Sequence, residues 1–335
     1  MDLDLVFLGT AGSAPTAARG TSATLVRRGG DRLLVDCGEG TQRQLLRSDA
    51  GLGDLEDVFL THLHADHVLG LPGMLKTFAL RGRETGITVH GPRGTRSLLD
   101  GLRVVVGRLT YPLDVVELGP GDAIERDGYR LIPFAVAHGA GAIGYALREE
   151  GRAGRFEAVT ADDLGVPDGP SRGALQRGEP VTLADGRVIR PEEVVGPPRR
   201  GRTIVLTGDT APAKSVVEAA TGADVLVHEA TFLAEERARA QETEHSTAGE
   251  AALVAREAGV GLLALTHVSA RYAGSQVAAE AQELFPRTVV PRDFDLIEVP
   301  LPERGPAELV PRGGRRGRED PPQTPSSGVR LQSDT

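Results

Sequence analysis

Short apolar runs followed by glycine, proline or aspartate recur along this chain and predict buried β-strands. The clearest runs cover residues 3–8, 57–60, 131–137, 203–206, 224–227 and 261–265. Residues 22–26 and 32–35 flank a Gly-Gly-Asp turn and predict a β-hairpin. Segments 74–80, 94–101 and 248–258 have the length and composition of helices. The alternation of strands with helices predicts an α/β fold.

The densest group of polar positions follows the run 57–60. Residues 61–70 read Thr-His-Leu-His-Ala-Asp-His-Val-Leu-Gly, and the Gly-Leu-Pro-Gly sequence that begins there predicts a break before the next helix. His62 and His64 project to the same side of an extended backbone, whereas Asp66 and His67 follow a turn. Two ligand sets imply two adjacent ions. Imidazole with carboxylate favours zinc, with manganese or iron as alternatives.

The alternative for each histidine is a buried residue whose ring is satisfied by packing. Four metal-competent side chains within the six positions 62–67 favour a metal site instead. His90 precedes a Gly-Pro pair without companion ligands, so we interpret it as a strand-end residue and not as a ligand.

Further polar side chains follow the predicted strands of the second half. His138 ends the run 131–137, Asp209 follows 203–206, His228 and Glu229 follow 224–227, and His267 follows 261–265. His245 lies just before the helix 248–258, where Ser246 or Thr247 is the predicted N-cap and Glu250 stands near the capping-box position. Several strand ends therefore present ligand-type residues, and His245 is placed for a positioned side chain.

Composition narrows the class of protein. A chain of 335 residues with 40% hydrophobic residues can bury a core, and its single cysteine, Cys37, excludes a disulfide framework. The first residues lack the pattern of a signal peptide, and no apolar run approaches about 18 residues. We therefore expect a cytoplasmic protein without a membrane span. The net charge of −9 disfavours an indiscriminate nucleic-acid coat but permits local basic surfaces.

Two segments differ in composition from the rest. Residues 148–202 are rich in Gly, Pro, Arg and acids, and Arg199, Arg200 and Arg202 cluster without an intervening acid. Such a segment is either a long solvated loop or a functional insertion. From residue 303 the chain loses apolar periodicity, so we predict a disordered tail over 303–335.

These motifs together are similar to those of the ribonuclease Z family, the tRNA 3′-processing endonucleases of the metallo-β-lactamase superfamily. The resemblance extends from residue 3 to about residue 300. Its most discriminating parts are DCGEGTQRQL at 36–45, GLPG at 70–73, TGDT at 207–210, HEAT at 228–231 and EHST at 244–247. It implies a four-layer αβ/βα sandwich over residues 1–302, with the active site along one edge.

The resemblance also implies the roles of individual residues. His62, His64 and His138 would hold one zinc, Asp66, His67 and His267 a second, and Asp209 would bridge both; manganese is possible in their place. Asp66 would orient the attacking water, and His245 would protonate the departing ribose 3′-oxygen. Glu229 would support these residues, while His90 and His228 would stay outside. The expected substrate is precursor tRNA, which would be cut to leave a 3′-hydroxyl.

By the same resemblance, the insertion at about 148–202 is a tRNA-binding arm whose arginines contact phosphates, and the protein is a homodimer. One loop departs from the family. Members that reject mature CCA ends have a Pro-Thr-Lys-x-Arg-Asn loop, whereas this chain has Ala17 and Gly20 in place of the Lys and Asn. The resemblance therefore does not extend to CCA rejection.

Two other functions fit parts of the pattern. A superfamily hydrolase of small phosphodiesters or thioesters would use the same metals, but a small substrate needs no arm. A metal-bearing RNA-binding or scaffold protein without turnover would not need every expected ligand, and all of them are present. The sequence therefore favours a metal-dependent endoribonuclease.

Overall fold

A computed structural model describes residues 1–53 and 55–311 of the chain. The strands, in chain order, are β1 Leu3–Gly9, β2 Ala23–Arg28, β3 Asp31–Val35, β4 Asp57–Phe59, β5 Ile87–Gly91, β6 Leu113–Glu117, β7 Ile124–Arg126, β8 Tyr129–Ala135, β9 Ile143–Glu149, β10 Val181–Thr182, β11 Val188–Ile189, β12 Thr203–Leu206, β13 Val225–Glu229, β14 Leu263–Thr266, β15 Thr288–Val289, β16 Leu296–Glu298 and β17 Glu308–Val310. The helices are α1 Thr41–Arg47, α2 Ala65–Val68, α3 Gly70–Leu80, α4 Thr95–Val106, α5 Ala158–Asp163, α6 Pro170–Gln176, α7 Pro191–Val194, α8 Lys214–Ala220, α9 Arg237–Glu242, α10 Ala248–Ala258 and α11 Gly274–Leu284.

The strands form two large mixed sheets. The first sheet has the order β17-β16-β1-β2-β3-β4-β5-β6, and the second has the order β15-β14-β13-β12-β9-β8-β7. In the first sheet β3 to β6 are parallel, and in the second β12 to β15 are parallel. Parallel strands leave their carboxyl ends on one edge, where α/β folds place functional loops.

Three buried apolar clusters separate four layers. One lies between the sheets and includes Phe7, Tyr145 and Val227. A second packs α1, α3 and α4 on the outer face of the first sheet, and a third packs α8, α10 and α11 on the outer face of the second. The predicted four-layer αβ/βα sandwich is therefore confirmed. No helix in the described ranges is long and apolar enough to cross a bilayer.

The predicted break at residues 70–73 was wrong. Helix α3 begins at Gly70 and contains Pro72 in its first turn, where the missing N–H costs no intrahelical hydrogen bond. Gly70 is needed for packing, because a Cβ there would lie 2.1 Å from the carbonyl oxygen of Gly38. Strand β13 likewise runs through His228 and Glu229 and does not end at residue 227.

The predicted boundary of the disordered tail was also wrong. Residues 308–310 form β17, which pairs antiparallel with β16 and extends the first sheet. Ala307 is buried in the cluster between the sheets, so the folded domain continues past residue 302. The rest of the predicted tail, residues 312–335, lies outside the described residues.

Residues 150–202 form a small subdomain with its own core and not a solvated loop. Helices α5, α6 and α7 and the β10–β11 hairpin enclose a separate apolar cluster that includes Ala161, Leu175, Ile189 and Val194. The Gly196 N–H donates to the Arg155 carbonyl over 2.9 Å, so the two connecting chains meet at the base. We call this segment the arm.

The basic cluster predicted in this segment does not form a free phosphate-binding surface. Arg202 is 2% exposed and contacts Glu149 at 2.6 Å. Arg200 pairs with Asp224, and Arg199 pairs with Glu303. These three arginines therefore join the base of the arm to the sandwich, and only Arg202 is fully buried.

Candidate metal centre

The loop after β4 places four polar side chains at the edge of the first sheet. The chain leaves β4 at Phe59, and the short helix α2 begins one residue after His64. His62 and His67 are buried, whereas His64 is exposed and Asp66 is half-buried. The turn between the extended segment and α2 therefore separates His62 and His64 from Asp66 and His67, as the sequence predicts.

The second sheet supplies polar side chains from separate strand ends at the same edge. His138 follows β8, Asp209 follows β12 and His267 directly follows β14, and all three are buried. The Ile143 N–H donates to the Thr61 carbonyl over 2.9 Å, which joins this edge of the second sheet to the loop of the first. Strand ends that are distant in sequence thus meet.

The seven predicted ligands form two adjoining groups. His62, His64 and His138 make one, and Asp66, His67, Asp209 and His267 make the other; within each group the potential ligand atoms lie within 4.8 Å of one another. Asp209 Oδ2 lies 3.7 Å from His62 Nε2 and 3.2 Å from His267 Nε2. Asp209 therefore stands between the groups.

Three side chains of this cluster have a buried polar atom that is not hydrogen-bonded to any described residue. His62 Nε2, His67 Nε2 and Asp209 Oδ1 are buried and have no hydrogen-bond partner among the described residues. Buried polar atoms are normally hydrogen-bonded. Imidazole nitrogens and carboxylate oxygens in this arrangement fit divalent transition ions, above all zinc.

The Nδ1 atoms of three buried histidine rings each have a hydrogen-bond partner. Asp36 Oδ2 lies 2.8 Å from His67 Nδ1, and the Glu244 carbonyl lies 2.9 Å from His138 Nδ1. The Thr231 hydroxyl lies 2.8 Å from His267 Nδ1. Such partners fix the ring orientation and the tautomer of metal-ligating histidines.

The electrostatics of the cluster favour a bound cation. Burial and the neighbouring His67 lower the pKa of His62 to about 2, which keeps its ring neutral, as a ligand must be. Burial acts against the charged form of His67, yet Asp209 and Asp36 raise its pKa well above the usual value. The carboxylates of Asp209 and Asp36 thus stabilise a positive charge next to His67.

His245 also belongs to two candidate metal groups, one with His138 and Asp209 and one with Glu229 and His267, but its shortest contact is with Glu229. Its Nδ1 is 2.7 Å from Glu229 Oε1 and 3.9 Å from Asp209 Oδ2. Although burial opposes it, the contact with Glu229 raises the pKa of His245. Thr247 caps α10 with Glu250 in a capping box, as predicted, and this fixes the chain directly after His245.

The structure separates the remaining histidines from the cluster. His90 contacts Asp57 at 2.8 Å and stacks on Phe59, and His228 is buried with its Nδ1 2.8 Å from the Glu229 carbonyl. Both were expected to stay outside the ligand set, and neither belongs to a candidate metal group among the described residues.

Asp36, like Thr231, supports the site although the sequence analysis gave it no role. Its carboxylate accepts hydrogen bonds from the Thr61 N–H at 2.8 Å and from the Thr61 hydroxyl, besides contacting His67. Asp36 and His267 both have positive φ, 61° and 56°, which is uncommon for residues other than glycine. The position of Asp36 directly before the Gly-rich turn was the available signal.

Comparison with known proteins places the fold and the site in context. The family described as anti-Pycsar protein Apyc1 matches residues 3–92. Among curated proteins, ribonuclease Z of Gemmatimonas aurantiaca is 49% identical over 308 residues, which covers 90% of this chain and 98% of the relative. Ribonuclease Z of Halobacterium salinarum is 48% identical, with 90% and 99% covered.

The fold of this chain is also similar to those of solved structures. The short form of human tRNase Z is 27% identical with a TM-score of 0.65, and the match covers 89% of this chain and 99% of that one. The metallo-β-lactamase fold protein YhfI of Bacillus subtilis also has a TM-score of 0.65, covering 89% of this chain and 100% of that one. At 20% identity, YhfI supports the fold alone.

Proposed function

The chain belongs to the ribonuclease Z family, and we propose that it removes the 3′ trailer from precursor tRNA as an endoribonuclease, leaving a 3′-hydroxyl on the tRNA. The observation that carries this proposal is the meeting of seven ligand-type side chains at one edge of the sandwich, three of which have a buried polar atom without a hydrogen-bond partner among the described residues. Packing alone gives no account of those atoms.

We propose two zinc ions per subunit, with manganese as the alternative. One would be held by His62, His64 and His138 and the other by Asp66, His67 and His267, with Asp209 shared between them. The two groups of side chains and the place of Asp209 between them support this division. A pair of divalent ions would supply activation of water and neutralisation of phosphate charge.

Two residues would handle the water and the proton. The Asp66 carboxylate is half-buried and accepts the Ser13 N–H over 2.9 Å, which restrains its orientation, and it would orient the attacking water. Although burial opposes it, the contact with Glu229 raises the pKa of His245 and so favours its protonated form, which suits protonation of the departing ribose 3′-oxygen. Glu229 acts as a positioning residue, because its second oxygen accepts the Thr231 hydroxyl at 2.7 Å.

The arm would bind the folded part of the tRNA at a distance from the metal centre. Its separate core lets it project as a unit, and Arg155 and Arg190 are exposed on it. Removing residues 156–195 and joining Arg155 to Gly196, whose backbones already adjoin, should abolish cleavage of precursor tRNA. Hydrolysis of a small phosphodiester should remain. Equal loss of both activities would show that the arm is needed for the fold and not for the substrate.

The direct test of the proposal is incubation of the purified protein with a 3′-extended precursor tRNA, with and without a chelator. We expect a single cut that yields a tRNA with a 3′-hydroxyl and a 5′-phosphorylated trailer, and we expect the chelator to stop it. Cleavage of a small phosphodiester without cleavage of the precursor would refute the assigned substrate.

The oligomeric state and the cellular location are also proposals. We propose a homodimer in which one subunit's arm serves the other's site, which light scattering of the purified protein and mixing of arm-deleted with metal-site variants would test. Two variants that are inactive alone should regain activity when mixed. The cytoplasmic setting predicted from the sequence stays a prediction.

A further inference from the structure

A basic cleft opens beside the proposed metal centre. Residues 15–20, 39–47 and 292–294 contribute to its walls, and its volume is about 510 Å³, which is within the range of about 300–1,000 Å³ typical of ligand sites. It is lined by four arginines, Arg19, Arg43, Arg47 and Arg292, and by two acids, Glu39 and Asp293. In a chain of net charge −9, this local excess of positive charge indicates an anionic ligand.

Two of the charged residues serve the protein itself. Arg19 donates to the Thr10 hydroxyl at 2.6 Å and to the Pro291 carbonyl at 2.8 Å. Asp293 accepts the Gly20 N–H at 2.6 Å and the Thr10 hydroxyl at 2.8 Å. These bonds anchor the loop 13–20 at its end, and they occupy the Asp293 carboxylate and one of the three side-chain nitrogens of Arg19.

The other three arginines present their charge to the cleft. Arg43 and Arg292 are exposed, and neither guanidinium has a hydrogen bond or ion pair to another residue in the described part of the chain. The Arg47 guanidinium packs over the Phe294 ring at 5.0 Å. Phe294 has a φ of 74°, rare for a bulky residue, and such outliers concentrate at functional sites.

Two of the segments that line the cleft are close to Asp66 just before they reach it. Ser13, two residues before the lining residues 15–20, donates its N–H to Asp66 Oδ2 at 2.9 Å. Gly38 directly precedes the lining residues 39–47, and a Cβ there would lie 2.2 Å from the Asp66 carbonyl. An RNA strand at the metal centre would therefore reach the cleft by following either segment away from Asp66.

We propose that this cleft binds the backbone phosphates of the single-stranded 3′ trailer through Arg43, Arg47 and Arg292. The inference rests on the proposed function. The strand on the 5′ side of the cut is tied to the folded tRNA, whereas the trailer is free to follow the loop into the cleft. Guanidinium groups that contact phosphates bind RNA without reading its bases, which suits a segment that is discarded.

The experiment compares two precursors of one tRNA, with a single-nucleotide trailer and with a long unstructured trailer. Replacing Arg43 and Arg292, whose guanidinium groups have no partner among the described residues, by Arg43→Gln with Arg292→Gln should raise KM for the long trailer about tenfold at low salt, and by less for the short one. The slope of log KM against log salt should fall by roughly 0.7 for each arginine removed. Arg108→Gln, at an exposed arginine outside the cleft, should change neither substrate.

The outcomes separate the two proposals. If the wild-type protein cleaves both precursors and the double variant shows the same KM as wild type, or equal increases for both trailers, the cleft does not bind the trailer. If the wild-type protein cleaves neither precursor, the proposed function is wrong and the cleft proposal falls with it. A larger increase for the long trailer supports the cleft.

Discussion

The two halves of the sandwich build one site in different ways. The first sheet supplies His62, His64, Asp66 and His67 from a single loop, whose own backbone fixes their spacing. The second sheet supplies His138, Asp209 and His267 from three strand ends, whose spacing depends on the order of β8, β12 and β14 in the sheet. The local half forms a motif, while the dispersed half completes the site only when the whole sheet is folded.

The largest effect is expected from removing the residue that joins the two halves. Asp209→Ala should lose bound metal, since Asp209 stands between both ligand groups. Its precursor cleavage should fall by more than about 100-fold, the upper effect of replacing a residue that only supports a ligand. His64→Ala, at an exposed ligand of the local half, is the matched variant and should retain more metal. Elemental analysis of both proteins checks this, and equal metal content would remove the distinction.

The next effect separates chemistry from metal binding. His245→Ala should cut turnover by about 10²–10⁴ while the metal content stays at the wild-type value, because the nearest carboxylate partner of His245 is Glu229 at 2.7 Å. Elemental analysis beside single-turnover kinetics measures both quantities. A loss of metal as large as that of Asp209→Ala would contradict the role of proton donor.

A smaller effect compares the outer contacts of the two halves. Asp36→Asn loosens His67 and Thr61 in the local half, whereas Thr231→Val loosens His267 in the dispersed half. Each should weaken metal affinity about 10–100-fold, measured by competition with a chromogenic chelator. Asparagine tolerates the positive φ of Asp36, so the backbone should stay in place. Unchanged affinity in both variants would show that these contacts do not tune the metals.

The change expected to affect the site least lies at the opposite end of the sandwich, where ion pairs between side chains join the two sheets. Glu149 of β9 contacts Arg28 of β2 at 2.8 Å and Arg202 at 2.6 Å. Glu149→Gln should lower the free energy of unfolding by about 3 kcal/mol with little change in metal content. Arg103→Gln, at an arginine whose side chain is 81% exposed, is the control and should change stability little.

The sign of the pH dependence follows from Glu149. Burial opposes its charged form, but Arg202 and Arg28 hold its pKa below the usual value. Its stabilisation is therefore fully present above the pKa of the unfolded chain, about 4.3, and is lost as the pH falls through the lower pKa of the folded state. Denaturant curves of wild type and variant should converge only in that acid range, and convergence at neutral pH would refute the assignment.

The accuracy of the sequence analysis followed how local each feature was. Helix α10 and its Thr247 cap agree with the prediction, because the capping box involves residues only three positions apart in the sequence. The break predicted at 70–73 failed, because tertiary packing of Gly70 against Gly38 and a proline in the first helical turn are compatible with a helix. Arg199, Arg200 and Arg202 cluster in the sequence without an intervening acid, and the sequence did not reveal their partners Glu303, Asp224 and Glu149, because these lie in distant segments.

By itself the sequence determined the ligand types, their positions after predicted strands and the α/β class, because apolar periodicity and local motifs are properties of neighbouring residues. Only the tertiary structure decided that Asp36 supports His67, that Asp209 stands between two groups of ligands, and that residues 308–310 add a strand. Those facts depend on the order of strands within the sheets and on how the two sheets pack, and contacts between distant segments fix both.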